Sequence, residues 1–213
     1  MGKRALPAAM IARLPLYLRS LDELGQRNPT ISSVRLGAVA GVAATQVRKD
    51  LSYLGSYGVR GVGYRVEELR ERLHRELGLT RGWGVVVVGI GNLGTALAEY
   101  SGLRLWGFRV VGLFDVDPAR VGNKVNGLRI KHLDRMESVV EHEQAEIGII
   151  ATPAAAAQLV VDRLVKAGVR SILNFAPAVL QVPRAVTLRR VDVSSELQIL
   201  SHHLARAAGR AAG

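Results

Sequence analysis

The chain carries four consecutive valines that lead directly into a glycine-rich turn, and this junction restricts the fold more than any other stretch. The valines occupy residues 85–88, and residues 89–94 have the spacing G-x-G-x-x-G before a helical pattern begins. In such a unit the first glycine allows the tight turn, the second lets the backbone approach a pyrophosphate, and the third lets the helix pack close to the strand. The junction therefore predicts a dinucleotide-binding site formed by Gly89, Ile90, Gly91, Asn92, Leu93 and Gly94.

Two further features of this segment favour a dinucleotide. The helix that begins at about Asn92 offers free N–H groups and the positive end of its dipole to an anion. Asp115 ends the next apolar strand, close to the spacing of about 20 residues at which an acidic residue binds the adenosine ribose. A carboxylate there would repel a 2′-phosphate, so Asp115 favours NAD(H) over NADP(H). Asp117 is a second candidate for the ribose, or it caps the following turn.

The rest of the C-terminal half alternates strands with helices. Strands are predicted at residues 145–151 and 186–193, a strand and its turn at 171–177, a helix at 155–167, and a loop with a short strand at 120–130. This order predicts a parallel sheet with right-handed crossovers, in which a ligand lies beyond the carboxyl ends of the strands. The residues that follow those ends are expected near the nicotinamide, unless they only form ordinary turns: Thr152, Pro153, Asn174 and Phe175.

The first eighty residues have a different pattern. A helix is predicted over residues 7–24, with Pro15 as a kink or a late start, and shorter helices over 34–40 and 43–54. A turn at Gly41 separates the last two helices, which is the order of a helix-turn-helix. The outward face of the third helix can reach phosphates and base edges in a DNA major groove, unless it is only a solvated basic face. That face carries Thr45, Gln46, Arg48, Lys49 and Ser52.

A glycine-rich stretch follows directly. Residues 55–64 hold too many glycines for a helix and are predicted to form a hairpin with Arg60 near its tip, the wing of a winged helix. A wing arginine commonly enters the minor groove or contacts the DNA backbone. A charged amphipathic helix over residues 67–77 is interpreted as a linker, which places the domain boundary near residue 80.

Composition narrows the classes of protein and of partner. The 213 residues carry a net charge of +11, and residues 1–81 hold 14 Lys and Arg against 7 Asp and Glu. The basic N-terminal part predicts a polyanionic partner, nucleic acid before acidic lipid, unless the excess only reflects an arginine-rich composition. No apolar run approaches the about 20 residues of a membrane span, the N-terminus lacks a signal-peptide pattern, and there are no cysteines. We expect a cytoplasmic protein with no membrane association and no metal site.

The sequence offers no evident catalytic partner for a bound dinucleotide. A dehydrogenase needs an acid or base beside the substrate carbonyl and usually a substrate domain. None of the five histidines falls on a predicted loop at the strand ends, and the N-terminal region leaves no room for a substrate domain. We therefore predict a protein that is not an enzyme. Three alternatives remain open: a small NAD-dependent oxidoreductase with a basic extension, a CoA-binding module of the succinyl-CoA-synthetase type, and a constitutive DNA-architectural protein.

Several stretches of the chain, taken in order, resemble the Rex family of redox-sensing transcriptional repressors. The longest covers residues 46–53 and continues through 55–64, and shorter ones lie at 89–94, 114–117 and 174–177. The resemblance implies a homodimer that binds palindromic double-stranded operator DNA and is released from it by NADH, with NAD competing. It further implies control of respiratory and fermentative genes, and C-terminal helices exchanged between subunits.

The resemblance also assigns residues by position. It adds Tyr53, Tyr57 and Gly61 to the DNA-binding residues. It places Tyr100 near the nicotinamide and Asp192 at the subunit contact.

The expected fold class is α/β with two domains and a C-terminal extension. A winged helix-turn-helix domain is expected over residues 1–80 and a Rossmann-type parallel-sheet domain over 81–193. A domain-swapped C-terminal helix and its tail are expected over 194–213. NAD(H) is expected to act as a regulatory ligand.

Overall fold

The computed structural model of the protein describes residues 6–24, 29–55, 58–59 and 62–211, with side chains as far as residue 207. The chain forms two compact units, Met1–Arg81 and Gly82–Gly213. Each unit has buried apolar side chains of its own, as separate domains do.

The first unit begins with a helix-turn-helix. Its first helices are α1 (Ala8–Ile11), α2 (Leu14–Leu24), α3 (Ser33–Ala40) and α4 (Ala44–Tyr53). The helix predicted over residues 7–24 is interrupted just before Pro15, because the proline ring lacks an N–H and clashes within a continuous helix. The Ser32 hydroxyl caps α3 by accepting from the Arg35 N–H at 3.2 Å. Gly41 takes the left-handed conformation (φ 66°) in the predicted turn before α4.

A small sheet follows, and it confirms the predicted hairpin. Its strands are β1 (Thr30–Ile31), β2 (Gly58–Val59) and β3 (Gly63–Arg65). Helix α5 (Val66–Glu76) follows β3 in the chain. The central strand β3 pairs antiparallel with both β1 and β2. Three residues predicted to bind DNA, Tyr57, Arg60 and Gly61, lie outside the described residues.

The interpretation of residues 67–77 as a linker is wrong. The corresponding helix α5 packs against α2 within the first unit and buries Leu69 and Leu73. Arg70 also connects the two helices, since its Nη2 donates to the Leu21 carbonyl at 3.3 Å and its Nε to Asp22 at 3.1 Å. The apolar side of this helix, which was interpreted as a linker, is therefore part of the core of the first unit.

The buried carboxylate of Asp50 joins α4 to the start of α2. Arg13 donates to it from Nε and Nη2 at 2.6 and 2.8 Å, and the Tyr17 hydroxyl donates at 2.7 Å. Gln46, one turn earlier in α4, donates from Nε2 at 2.7 Å. Burial would raise the pKa of Asp50, but these hydrogen bonds outweigh burial and hold the pKa below its usual value.

The second unit is a doubly wound α/β domain. Its strands are β4 (Trp83–Val88), β5 (Phe108–Asp115), β6 (Lys124–Val125), β7 (Leu128–His132), β8 (Ile147–Ile150), β9 (Ser171–Asn174) and β10 (Thr187–Arg190). Its helices are α6 (Asn92–Glu99), α7 (Ser101–Leu105), α8 (Met136–His142), α9 (Ala154–Lys166) and α10 (Val193–Ala211). The strand order β10-β9-β8-β4-β5-β7-β6 is parallel except at β6, and its six parallel strands follow the Rossmann order. The predicted Rossmann-type parallel sheet is confirmed.

Two elements of this unit differ from the sequence-based expectation. The loop and short strand expected at residues 120–130 form the hairpin β6–β7, which turns at Asn126 and Gly127, both at positive φ (50° and 80°). Asn-Gly between strands is a typical hairpin turn, so the signal was present in the sequence. Helix α8 was not predicted, and it buries Met136 and Val140 against the sheet.

Asp50→Ala should destabilise the first unit. The substitution removes the acceptor of a buried ion pair and leaves Arg13 and Tyr17 without their partner, so the free energy of unfolding should fall by about 3 kcal/mol. Tyr17→Phe removes a single hydrogen bond and should cost about 1 kcal/mol. Urea denaturation followed by circular dichroism measures both values.

The stabilisation by Asp50 should also depend on pH in a defined direction. Because its folded-state pKa is lowered, the contribution is complete above the unfolded-state pKa of about 4 and is lost as the pH falls through the folded-state value. The difference in unfolding free energy between the wild type and Asp50→Ala should therefore shrink below about pH 4. An equal difference at neutral pH and at pH 3 would contradict this assignment.

Candidate functional site

A cavity of about 520 Å³ opens at the carboxyl ends of β4, β5 and β8. The order of the sheet changes direction here, because β5 and β8 flank β4 on opposite sides. Ligands of open α/β sheets bind at such a switch point, and the volume lies within the range of cofactor pockets. Seven predicted cofactor-binding residues line the cavity: Gly89, Gly91, Leu93, Asp115, Thr152, Pro153 and Phe175.

The three glycines of the turn meet different surroundings. A Cβ at Gly89, whose φ is 89°, would lie 2.7 Å from the carbonyl oxygen of Ala151, and one at Gly94 would collide with the carbonyl oxygen of Gly89. A Cβ at Gly91 would meet no described protein atom within 4 Å. The fold itself therefore requires Gly89 and Gly94, whereas Gly91 only keeps the surface of the cavity open to a close ligand.

Two groups beside Gly91 lack a partner within the described chain. Gly91 is the N-cap of α6, and no side chain caps the N–H groups of that helix end. The Thr152 hydroxyl is buried, lines the same cavity, and forms no hydrogen bond to any described residue. Free helix N–H groups together with a buried hydroxyl suit the oxygens of a phosphate. The donor set therefore fits the pyrophosphate of a dinucleotide.

Asp115 connects the glycine turn to the end of β5. Its Oδ2 accepts from the Ile90 N–H at 2.7 Å, and its Oδ1 accepts from the N–H groups of Val116 and Asp117 at 2.7 and 3.0 Å. A carboxylate offers about four lone-pair positions, so about one remains for a ribose hydroxyl. Asp115 thus holds the turn in place and keeps limited capacity for a ligand.

Sequence analysis missed one cationic residue of the cavity. Arg120 lines it, donates from Nη1 to the Ile90 carbonyl at 2.6 Å, and lies 3.3 Å from Asp117 through Nε. Asp117 also lines the cavity, and its Oδ1 accepts from the Ala119 N–H at 2.9 Å, so the turn-capping alternative describes its contacts. Arg120 lies in the segment predicted as a loop, where no periodicity pointed to it.

Five residues assigned to the cofactor site do not line the cavity. The Ile90 side chain is buried in the core, Asn92 points to solvent, and Gly94 is buried against the turn. The Asn174 side chain is also buried, donates to the carbonyls of Ala176 and Ala178, and accepts from the Ala176 N–H. It therefore shapes the loop that carries Phe175 rather than facing a ligand.

Tyr100 lies at the opposite end of α6 from the glycine turn. It is 58 % exposed and lines a separate cavity between α6, α7 and β5. Within one protomer Tyr100 is therefore not among the residues around the predicted nicotinamide position.

One histidine lies at a strand end, although none was predicted on a loop at the strand ends. His132 is the last residue of β7 and pairs in register with Asp115. Its ring Nδ1 lies 3.1 Å from the Asp134 carboxylate, and the side chain does not line the cavity. The predicted loop and short strand ended at residue 130, whereas β7 continues to His132, which is why this position was missed.

Asp192 caps the C-terminal helix α10. Its carboxylate accepts from Arg190 Nη2 at 2.7 Å, from the Ser194 N–H at 3.1 Å and from the Ser195 hydroxyl at 2.9 Å. The Ser195 bond, aided by the others, lowers the pKa of Asp192 from its usual value. The helix itself leaves three leucines exposed, Leu197, Leu200 and Leu204, at 61 %, 58 % and 72 %.

The outward face of α4 carries most of the predicted DNA-binding residues in exposed positions. Thr45, Arg48, Lys49, Ser52 and Tyr53 are exposed, whereas Gln46 is half-buried beside Asp50. The Arg48 Nη1 donates to the Ser33 hydroxyl at 3.0 Å, which places its charge beside the N-terminus of α3. The Ser52 hydroxyl donates a hydrogen bond to the Lys49 carbonyl at 2.7 Å.

The described residues contain no candidate metal cluster and no candidate membrane-spanning helix. No cluster of three or more His, Asp or Glu with metal-binding geometry occurs among them. None of the helices in the described part is long and apolar enough to cross a membrane.

Family models match both units of the chain. Residues 5–52 match the model described as "Putative DNA-binding protein N-terminus". Residues 80–178 match the model described as CoA binding domain.

Curated relatives match nearly the whole chain. A redox-sensing transcriptional repressor Rex of Streptomyces coelicolor is 57% identical over 98% of this chain and 81% of its own length. A Rex repressor of Carboxydothermus hydrogenoformans is 48% identical over 94% of this chain and 97% of its own.

Solved structures show the same similarity. A crystal structure of RSP with β-NAD⁺ and operator DNA has a TM-score of 0.90, 37% identity, and covers 96% of this chain and 95% of RSP. A structure of RSP with β-NADH has a TM-score of 0.87 and 36% identity over 96% of this chain and 97% of RSP.

The different surroundings of Gly91 and Gly94 give a paired test. Gly91→Ala should unfold at the wild-type temperature, because a methyl group there meets no described protein atom. It should bind NADH at least about tenfold more weakly, since the methyl group occupies the space that a pyrophosphate requires. NADH fluorescence titration and thermal unfolding measure the two quantities.

Gly94→Ala is the matched control. It adds the same methyl group three residues later, against the Gly89 carbonyl, and should lower the unfolding temperature itself. Wild-type NADH affinity in Gly91→Ala would show that no phosphate lies over the turn.

Proposed function

The chain belongs to the Rex family of redox-sensing transcriptional repressors, and from this premise we propose that it binds operator DNA as a homodimer and is released by NADH. NAD⁺ competes for the same cavity and leaves the protein able to bind DNA. The observation that carries the proposal is the open surface at Gly91 beside an uncapped helix end and an unpartnered Thr152 hydroxyl. This surface forms a dinucleotide site in a chain that also contains a helix-turn-helix.

Different residues of the cavity contact different parts of the dinucleotide. The pyrophosphate lies over Gly91 and the start of α6, and the remaining lone pair of Asp115 accepts from the adenosine ribose. Thr152, Pro153 and Phe175 surround the other end. The nicotinamide, when bound, supplies the redox state that the protein senses, and we propose no catalytic turnover.

The first unit supplies the DNA contacts. Arg48 and Lys49 bind phosphates, and Thr45, Gln46 and Ser52 face base edges in the major groove. The wing arginine, Arg60, is proposed to contact the minor groove. Such a protein works in the compartment that holds the DNA, which we take to be the cytoplasm.

The homodimer uses the exposed face of α10. A 19-residue helix with a row of exposed leucines requires an apolar partner surface, and a second copy of the chain supplies it. Exchange of α10 between subunits buries these leucines. Asp192, at the start of the helix, lies at the subunit contact. Two helix-turn-helix units in one dimer match the two half-sites of a palindromic operator.

NADH releases DNA only through differential affinity. A ligand shifts a population by as much as it prefers one arrangement of the dimer over the other. We infer that NADH prefers the arrangement in which the two recognition helices do not fit half-sites about one helical turn apart.

CoA is the second candidate ligand, because residues 80–178 match the model described as CoA binding domain. CoA carries a phosphate on its adenosine ribose, and Asp115 at the end of β5 would repel it. A thermal shift that is larger with NADH than with CoA supports the dinucleotide. The reverse order supports the CoA-binding module.

The regulatory claim predicts a loss of DNA affinity when NADH is present. Fluorescence polarisation with a labelled inverted-repeat operator should show binding weakened by about fivefold or more at saturating NADH, as a coupling of about 1–3 kcal/mol gives. Added NAD⁺ should restore binding. Equal DNA affinity with and without NADH would contradict the proposal, and steady NADH consumption with a carbonyl substrate would identify an oxidoreductase instead.

The phosphate contacts predict a change in salt dependence. Arg48→Ala or Lys49→Ala should weaken operator binding and reduce the slope of log K against log salt by about 1, because one fewer counterion is released. Arg170→Ala removes an equal exposed charge from the second unit and should leave the slope unchanged. NADH affinity should stay at the wild-type value in all three variants. A slope that is unchanged in Arg48→Ala and in Lys49→Ala would remove both residues from the interface.

A further inference from the structure

We propose that Asp50 fixes the amide of Gln46 with its carbonyl oxygen outward, so that Gln46 selects a base with an amino group, adenine or cytosine, and rejects guanine and thymine. This inference rests on the proposed operator binding. It makes Gln46 a specificity-determining residue and Asp50 the residue that positions it.

The Asp50 carboxylate has its hydrogen-bonding positions occupied by groups of the fold. Asp50 is 1 % exposed and its two oxygens accept four hydrogen bonds, two of them from Arg13 in bidentate geometry. Tyr17 and Gln46 donate the other two, each at 2.7 Å. The bidentate ion pair keeps the carboxylate ionised, and an ionised carboxylate can only accept hydrogen bonds.

The second step is the orientation of the Gln46 amide. Because its partner can only accept, the nitrogen Nε2 must point to Asp50 and the oxygen Oε1 must point away. A flipped amide would place two acceptors against each other inside the unit, at a cost of a buried unsatisfied group. Within the described part of the chain, no residue donates a hydrogen bond to Oε1.

The third step is the place of Gln46 on α4. It is the third residue of this helix, and the N-terminal residues of a recognition helix are those that contact base edges. A free glutamine presents either end of its amide, so it can donate to guanine or pair with adenine. A fixed Oε1 can only accept, and in the major groove the amino groups of adenine and cytosine are the donors.

Selection from an operator library with one randomised half-site tests this preference. The wild type should enrich one base pair at a single position, and Gln46→Met, which keeps the size of the side chain, should lose the preference at that position alone. Gln158→Met is the matched control, because Gln158 makes the same Gln–Asp contact one helical turn before Asp162 in the second unit. Its enrichment should equal that of the wild type.

The role of Asp50 requires its own variant. Asp50→Asn can accept or donate, so it no longer fixes the amide, and the preference for the enriched base pair should fall by about tenfold at the same position. NADH affinity should stay at the wild-type value in this variant. If Asp50→Asn does not fold, the wild type is tested with purine in place of adenine, or 2-pyrimidinone in place of cytosine. Each analogue lacks the amino group and should weaken binding by about tenfold.

Two results would overturn the inference: no change with Gln46→Met at any position, or full affinity of the wild type for an operator that carries the analogue. Unchanged discrimination in a folded Asp50→Asn would remove the positioning role. A library from which no operator is enriched would instead contradict the proposed function. The two failures are thus distinguishable.

Discussion

The contact between Gly94 and the Gly89 carbonyl is the constraint on which the ligand site depends. No side chain fits between these two residues, so α6 begins directly over the end of β4. That placement brings an uncapped helix N-terminus to the switch point of the sheet, next to the Thr152 hydroxyl. Asp115 then holds the turn from the neighbouring strand through the Ile90 N–H. The anion-binding geometry follows from backbone packing before any ligand is considered.

A carboxylate that accepts several hydrogen bonds has a comparable position in each unit, buried at Asp50 and half-buried at Asp115. Asp50 in the first unit joins α4 to α2 and orients Gln46, while Asp115 in the second joins β5 to the glycine turn. Each one accepts hydrogen bonds from the fold, and each lies next to the group that is proposed to meet a ligand. A substitution at either residue therefore changes both stability and recognition.

The sequence predicted the parts of the fold whose signals are local. The valine strand, the glycine turn and the short helices of the helix-turn-helix have strong local patterns, and the structure contains them. The helix α8 and the role of α5 could not be predicted in this way, since both depend on which surface a charged amphipathic helix covers. The hairpin at Asn126 and Gly127 had a local signal that was overlooked.

The candidate site was predicted less completely than the fold. Residues whose backbone forms the turn were found from spacing, whereas Arg120 depends on a contact with a distant segment and Asn174 on the conformation of its own loop. Tyr100 was assigned by resemblance, and it lies away from the cavity within one protomer. Sequence spacing therefore located the site, and only the three-dimensional packing separated the residues that line it from those that support it.

The central claim is that one chain couples a dinucleotide site to a DNA-binding surface, and reciprocity tests it most directly. If NADH weakens operator binding by a given factor, operator DNA must weaken NADH binding by the same factor. The measurement is the NADH dissociation constant by fluorescence titration, with and without saturating operator DNA. The account predicts weaker NADH binding on the operator, by the factor found for DNA, and no change with a scrambled duplex. An NADH affinity that is the same with and without operator would contradict it.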